Sequence, residues 1–218
     1  MLHGKIVGIL TLLSGAAMTD VPYRRTKLDA GELRIDLKDY ILSDPYREGE
    51  HALYMPDKGG IWTLAPKTIF SQEWLDYVEK EWNLSVDLAQ IFFRKPYYQH
   101  PGAHVDIDQE DNLYGGGLNW TIDPDDAQMV WYQTPEVDPE YTQRSHTDRN
   151  KEWPLDILTE VGRCTIGQEP TLVRTDIPHT VDMGANERWL VSVRFTWLKS
   201  WDDYLTKFND WIEHEELA

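Results

Sequence analysis

Apolar residues recur at helical spacing in two parts of the chain and at strand spacing through most of the rest. After Ser71, the residues Trp74, Leu75, Val78 and Trp82 fall on one face of a 3.6-residue repeat. Ser71 is a good N-cap, so the spacing predicts a helix over 72–82. Near the end, Trp201, Tyr204, Leu205, Phe208 and Trp211-Ile212 line one side of an amphipathic helix expected from Ser200 to Glu216. Between these, Ala89–Arg94 is a short, strongly apolar run and His104–Asp108 alternates apolar with polar. Gly117–Ile122, Gln128–Gln133, Thr171–Arg174, Thr180–Asp182 and Arg188–Trp197 read as further strands. The last two are joined by a turn containing Gly184, which predicts a hairpin. Residues 19–69 mix short apolar runs with Pro, Gly and Asp, as short strands and loops do, and Thr134–Pro154 is polar and reads as a long surface loop.

Short strands flanked by helices predict a mainly β fold, a jelly roll with helical supports. The 218 residues suit one domain: N-terminal strands and a supporting helix over 1–88, a jelly-roll core over 89–198 and a C-terminal amphipathic helix over 199–218. An apolar fraction of 41%, with ten Trp and eleven Tyr, supplies enough surface for a packed core. The formal charge of −17 disfavours nucleic acid and anionic membrane surfaces as partners, since Arg24-Arg25 with Lys27 is the sole basic concentration. The single cysteine, Cys164, excludes an intrachain disulfide and a multi-cysteine zinc site, and suits a reducing cytoplasm. Lys5–Met18 has the outline of a secretory signal, but the apolar run Ile6–Leu13 is too short to span a bilayer. The expectation is a buried strand or helix there, or a translation start at Met18.

Candidate chemistry begins with His104-Val105-Asp106. On a strand, side chains alternate, so His104 and Asp106 share a face while Val105 and Ile107 point away. A second histidine from elsewhere would complete a facial set of two imidazoles and one carboxylate on a metal ion. His-x-Asp alone is a weak signal: His146-Thr147-Asp148 repeats it in a polar stretch without strand character, where a solvated loop is expected. The strand after Gly184 places Arg188, Leu190, Ser192, Arg194 and Thr196 on one face. Trp189, Val191, Val193, Phe195 and Trp197 form the other, an apolar face suited to packing against helices. Two arginines facing a barrel interior need partners. Either internal Asp or Glu pairs or a dicarboxylate ligand would serve.

His104-Val105-Asp106, then Pro178-His179 far downstream, then Arg188 nine residues later, resembles the Fe(II)/2-oxoglutarate-dependent dioxygenase superfamily, most closely its prolyl-hydroxylase-like branch. Arg194, six residues after Arg188, echoes the paired arginines of the AlkB branch. The resemblance covers roughly residues 89–198 and implies a double-stranded β-helix of cupin-like type. It implies that His104, Asp106 and His179 bind Fe(II) and that Arg188 holds the distal carboxylate of 2-oxoglutarate. Arg194 and Asn119 are further candidates for the cosubstrate, Asn119 because it points opposite to Leu118 and Trp120. Tyr97 or Tyr98 could offer a phenol, although a loop aromatic is the simpler expectation for each. The implied activity is that of an oxidoreductase, hydroxylating an unactivated C–H bond of a peptidyl residue or small molecule. Asp106 argues against a halogenase, which by resemblance lacks the carboxylate.

Two other readings compete: a cupin-type metalloprotein without 2-oxoglutarate, and a non-enzymatic jelly-roll binding module with tryptophans as stacking platforms. Trp74, Trp82, Trp201 and Trp211 on helical faces, and Trp189 and Trp197 on a strand face, are expected to be mostly core. No feature of the sequence sets the oligomeric state or identifies the substrate.

Overall fold

The computed structural model describes residues 21–31, 33, 36–43, 52–55, 57–107, 110–143 and 149–213. The Lys5–Met18 segment, Met1, Met18 and His146-Thr147-Asp148 lie outside them. The chain runs β1 (Tyr23–Arg25), α1 (Leu37–Ser43), β2 (Ala52–Met55), β3 (Gly59–Leu64), α2 (Pro66–Ile69), α3 (Gln72–Trp82), β4 (Val86–Arg94), β5 (Gly102–Ile107) and β6 (Gly116–Thr121). It continues through β7 (Gln128–Tyr132), β8 (Glu140–Gln143), β9 (Arg149–Pro154), β10 (Glu160–Cys164), β11 (Thr171–Arg174), β12 (His179–Asp182), β13 (Arg188–Phe195) and α4 (Trp201–Phe208).

Two antiparallel sheets form, with strand orders β1-β11-β6-β13-β4-β3-β2 and β10-β7-β12-β5-β9-β8. From β4 onward the chain crosses repeatedly between them: β4, β6, β11 and β13 lie in the larger sheet, and β5, β7, β10 and β12 in the smaller. Eight strands divided this way make a double-stranded β-helix, a mainly β jelly roll with few helices.

The outer face of the larger sheet is the main core. Trp189, Val191, Val193 and Phe195 of β13 pack there with Trp120, Ile91 and the buried helix residues Trp74, Val78, Trp82, Trp201, Tyr204 and Phe208. Each fully buried side chain of this size contributes roughly 1.5–3 kcal/mol. Ser71 Oγ accepts the Trp74 N–H at 3.2 Å and starts α3 where the sequence predicts. A second cluster, with Met129, Trp131, Val173, Ile177 and Leu190, lies between the sheets and fills one part of the barrel. No helix among the described residues is long and apolar enough to cross a membrane.

Four expectations change. Thr180–Asp182 and the strand from Arg188 do not form a hairpin: β12 pairs with β5 and β7, whereas β13 pairs with β4 and β6. The Gly184 turn instead carries the chain from one sheet to the other. Asp126 holds it, accepting from Ala185 N and Asn186 N at 2.8 and 3.1 Å, and a Cβ on Gly184 would lie 2.2 Å from that carboxylate. The polar stretch after Thr134 is not only loop, because β9 pairs with both β5 and β8. Its Trp153 covers Val105 and Ile107 on the outer side of the smaller sheet. The tail helix is shorter than its pattern: α4 ends at Phe208, a 3-10 turn covers Asn209–Trp211, and Ile212 bridges to Thr26. Trp197 falls beyond the end of β13, at φ 77° and 80% exposed, so it is not core.

Candidate metal centre

The smaller sheet brings the histidines together. On β5, His104 and Asp106 point into the barrel, and on β12 His179 stands opposite His104 in register. Ligand atoms of His104, Asp106 and His179 all lie within 4.8 Å of one another. His104 Nε2 is 3.5 Å from Asp106 Oδ1 and His179 Nε2 is 3.9 Å from Asp106 Oδ2. His179 Nδ1 lies 3.0 Å from the Ile177 carbonyl. A carbonyl only accepts, so Nδ1 carries the hydrogen, and in the neutral ring this leaves Nε2 as the nitrogen free to act as a ligand. Two imidazoles and one carboxylate at this separation can hold one divalent ion and leave positions open on it.

Asp106 is fixed from several sides. Its backbone N–H donates to Thr175 O at 3.1 Å and its carbonyl accepts from Tyr114 N at 3.0 Å. Arg194 Nη2 donates to Asp106 Oδ2 in a direct ion pair. The Arg194 guanidinium in turn lies 4.3 Å from the centre of the Tyr114 ring. Arg194 therefore takes the Asp106 carboxylate as its partner, one of the internal pairings the sequence leaves open.

The other arginine is less well matched. Arg188 is 3% exposed, and its Nε lies 3.7 Å from Asp125 Oδ2. Among the described residues, Nε and Nη2 of Arg188 and Oδ2 of Asp125 make no hydrogen bond. Burial pulls the Arg188 guanidinium down despite Asp125 beside it, and burial pushes the Asp125 carboxyl up despite Arg188. Both groups shift toward their neutral forms, so each is incompletely compensated by the other. A buried guanidinium with unused donors is suited to receive a carboxylate.

One pocket between the sheets joins these groups. It is lined by the His104, Asp106 and His179 cluster, by Arg188, Arg194, Asn119 and Ser192, and by the apolar Phe92, Met129 and Leu190. Asn119 faces inward as its alternation predicts, opposite Ser192 and Thr171, and its Oδ1 is buried without a hydrogen bond among the described residues. Tyr98 lines the pocket, whereas Tyr97 is 72% exposed. Three other groups were not singled out by the sequence: Arg94 and His100, which line the pocket, and Asp125. Arg94 closes a run that reads as a strand, but only the pairing of β4 with β13 sets it opposite Arg188. Nothing in Asp123-Pro124-Asp125-Asp126 marks Asp125 in advance. Burial pushes the Cys164 thiol up to about 12, so it stays protonated and unreactive.

No protein-family model matches the chain. No curated protein matches it. Among solved structures, a Pseudomonas putida prolyl-4-hydroxylase is similar at 12% identity and a TM-score of 0.41, over 82% of this chain and 94% of that one. The coconut allergen cocosin is similar at 14% identity and a TM-score of 0.34, over 69% of this chain. An 11S allergen from Cocos nucifera is similar at 12% identity and a TM-score of 0.33, over 76% of this chain. The chain spans only 29% and 38% of the two allergens' lengths. Superpositions this loose add nothing to what strand order and ligand geometry say.

Proposed function

We propose that this chain is an iron(II)- and 2-oxoglutarate-dependent dioxygenase that hydroxylates an unactivated C–H bond of a peptidyl residue or a small molecule. One observation carries the reading: ligand atoms of His104, Asp106 and His179 lie within 4.8 Å of one another in the same pocket as the buried Arg188. When bound, iron(II), 2-oxoglutarate and oxygen supply the oxidation, decarboxylating the cosubstrate to succinate and placing one oxygen atom in the substrate C–H bond. The chain's residues bind and orient. His104 and His179 would hold iron through Nε2 and Asp106 through its carboxylate, which Arg194 keeps in position. Arg188 would receive the distal carboxylate of the cosubstrate, and the Asn119 amide would orient it. Phe92, Met129 and Leu190 limit water around the reacting groups. A net charge of −17 supports a substrate other than nucleic acid, away from anionic membranes, and the single cysteine fits a cytoplasmic setting.

Asp125 beside Arg188 favours a second reading, a cupin-type metalloprotein in which that arginine is neutralised internally. An anaerobic titration separates the two. Iron(II) is added to metal-free protein, then 2-oxoglutarate, and the visible charge-transfer absorption of the chelate is followed. A band in the parent that requires far more 2-oxoglutarate in Arg188→Ala is the expected result. Iron binding without any band would favour the cupin-type reading.

A further inference from the structure

The chain leaves β4 through Lys95-Pro96-Tyr97-Tyr98 and turns there. Tyr98 N donates to Lys95 O at 3.3 Å, with Pro96 second and Tyr97 third in the turn. Tyr97 sits at φ 57°. A proline followed by a left-handed residue is the pattern of a type II turn, whose third position calls for glycine or asparagine. A residue with a Cβ costs free energy there that glycine does not. The other non-glycines with positive φ among the described residues are Asn83 and Asp111, types that tolerate it, and Trp197. Tyr97 recovers little of its cost by burial, since it is 72% exposed.

This turn stands at the rim of the pocket. Tyr98, the next residue, lines the pocket together with His100, and the two rings meet edge to face with centres 6.5 Å apart. Three ties hold the stretch in place. Tyr97 N donates to Gly184 O at 2.9 Å, beside the pocket-lining Met183. Gln99 Nε2 donates to Asp182 Oδ1 at 3.0 Å, and His100 Nδ1 lies 2.9 Å from Gly102 O. Strained backbone fixed by its surroundings is found at ligand clamps. Tyrosine offers a large, rigid contact area and gives up little side-chain entropy on binding. Of two consecutive rings, then, one borders the cavity and the other is presented to solvent beside it. A ligand enclosed by the cavity meets Tyr98 alone. A ligand that meets both rings runs from the cavity onto the surface, as a residue within a polypeptide does and a free amino acid does not.

We propose that Tyr97 is a specificity-determining residue, an aromatic platform outside the cavity for the chain flanking a target residue held inside it, so that the substrate is peptidyl. The inference rests on the reading that the pocket hydroxylates its ligand. A net charge of −17 disfavours nucleic acid as the extended ligand. Trp197 shares the positive φ and the exposure but lies past the opposite end of β13. Arg94, beside the turn, pairs with Arg188, and from there to Phe195 the strand runs roughly 23 Å. Trp197 is therefore the control.

The test uses full-length protein with Tyr97→Gly, Tyr97→Phe and Trp197→Gly. The probes are fluorescein-labelled nonapeptide libraries with random flanks, each fixed at its centre as proline, lysine, arginine, asparagine or aspartate. The same five free amino acids are the competitors. Binding is read by fluorescence polarisation, in metal-free protein and in the anaerobic form with iron(II) and 2-oxoglutarate. At least one library is expected to bind the parent, with the free amino acid a far weaker competitor. Tyr97→Gly is expected to weaken that library roughly tenfold or more, while Tyr97→Phe keeps most of the affinity and Trp197→Gly matches the parent. In urea, Tyr97→Gly is expected to unfold at the same or a higher concentration than the parent, because glycine relieves the backbone. A lower midpoint would make Tyr97 a structural residue and overturn the proposal. Parent-like binding by Tyr97→Gly, an equal loss in Trp197→Gly, or free amino acids competing as well as the library would also overturn it. A 2-oxoglutarate absorption band in a parent that binds no library would overturn the platform and leave the dioxygenase reading intact. Library binding that depends on Tyr97, without that band, would uphold the platform and remove the dioxygenase reading.

Discussion

His104 and His179 face each other directly across the pairing of β5 with β12, with ring centres 4.5 Å apart and planes inclined by 53°. Imidazoles placed side by side on neighbouring strands, with a carboxylate two residues along one of them, converge on a volume the size of one ion. His179→Ala is therefore expected to abolish iron(II) binding, measured by anaerobic calorimetry or by competition with a chromophoric chelator. Tight iron binding by that variant would sink the ligand assignment.

Arg194 reaches the candidate centre through the Asp106 carboxylate, to which its guanidinium donates. Loss of a group that orients a metal ligand typically lowers affinity about 10- to 100-fold. Arg194→Ala is expected in that range by the same competition assay. Arg194→Lys should recover part of the loss, because it restores the charge without the planar fork. A metal affinity in the alanine variant equal to the parent's would show that the ion pair does not position Asp106.

The Asp125 carboxyl is pushed up first by its burial, and the pull from Arg188 does not reverse this. A carboxyl whose pKa rises on folding contributes stability that is fully present below its unfolded value, about 3.9, and is lost as pH rises through the folded value. Asp125→Asn has nothing to titrate at that position and escapes this loss. Its stability in urea should gain on the parent's as pH is raised from 4 to 8. A deficit near 3 kcal/mol, the usual result of breaking a tight buried ion pair, would instead show that Asp125 and Arg188 are well compensated.

Helix α4 opens on a reciprocal cap: Ser200 Oγ accepts Asp203 N, and Asp203 Oδ2 accepts Ser200 N at 2.8 Å. Ser200→Ala is expected to cost about 1 kcal/mol in urea unfolding. The backbone N–H of Ser200, more than any other group, holds the Asp203 carboxyl below the usual carboxylate range. Its contribution is present above the unfolded value near 4 and disappears as pH falls through the folded one. Asp203→Asn and the parent should therefore converge in stability toward pH 3, and a constant gap across that range would contradict the cap.

The candidate site was legible because a facial set of ligands and strand alternation ask for the same spacing. His104 and Asp106 need one face of β5, and the alternation of β13 from Arg188 to Phe195 put both arginines on the inside. What failed was inference from neighbourhood along the chain. Thr180 and Arg188 flank a glycine turn, as hairpin strands do, but the turn crosses between layers, and nothing local distinguishes those two geometries. Strands β8 and β9 escaped notice because their sequences, EYTQ and RNKEWP, lack the apolar alternation of a half-buried strand. The partners of the arginines come from sequence distances of 63 and 88 residues, Asp125 for Arg188 and Asp106 for Arg194. No periodicity encodes such pairings.

The added hairpin of β8 and β9 changes the standing of β5. Without it, β5 would be the outermost strand of the smaller sheet, with one row of amides open to solvent and to foreign strands. With β9 paired from Gly102 to Ile107, β5 is flanked on both sides. Sliding β5 by a single residue would turn His104 and Asp106 outward and put Val105 inside, removing two of the three clustered side chains at once. A segment that reads as dispensable surface thus fixes the register of the strand that carries His104 and Asp106. Trimming it should show first as faster hydrogen exchange at the β5 amides.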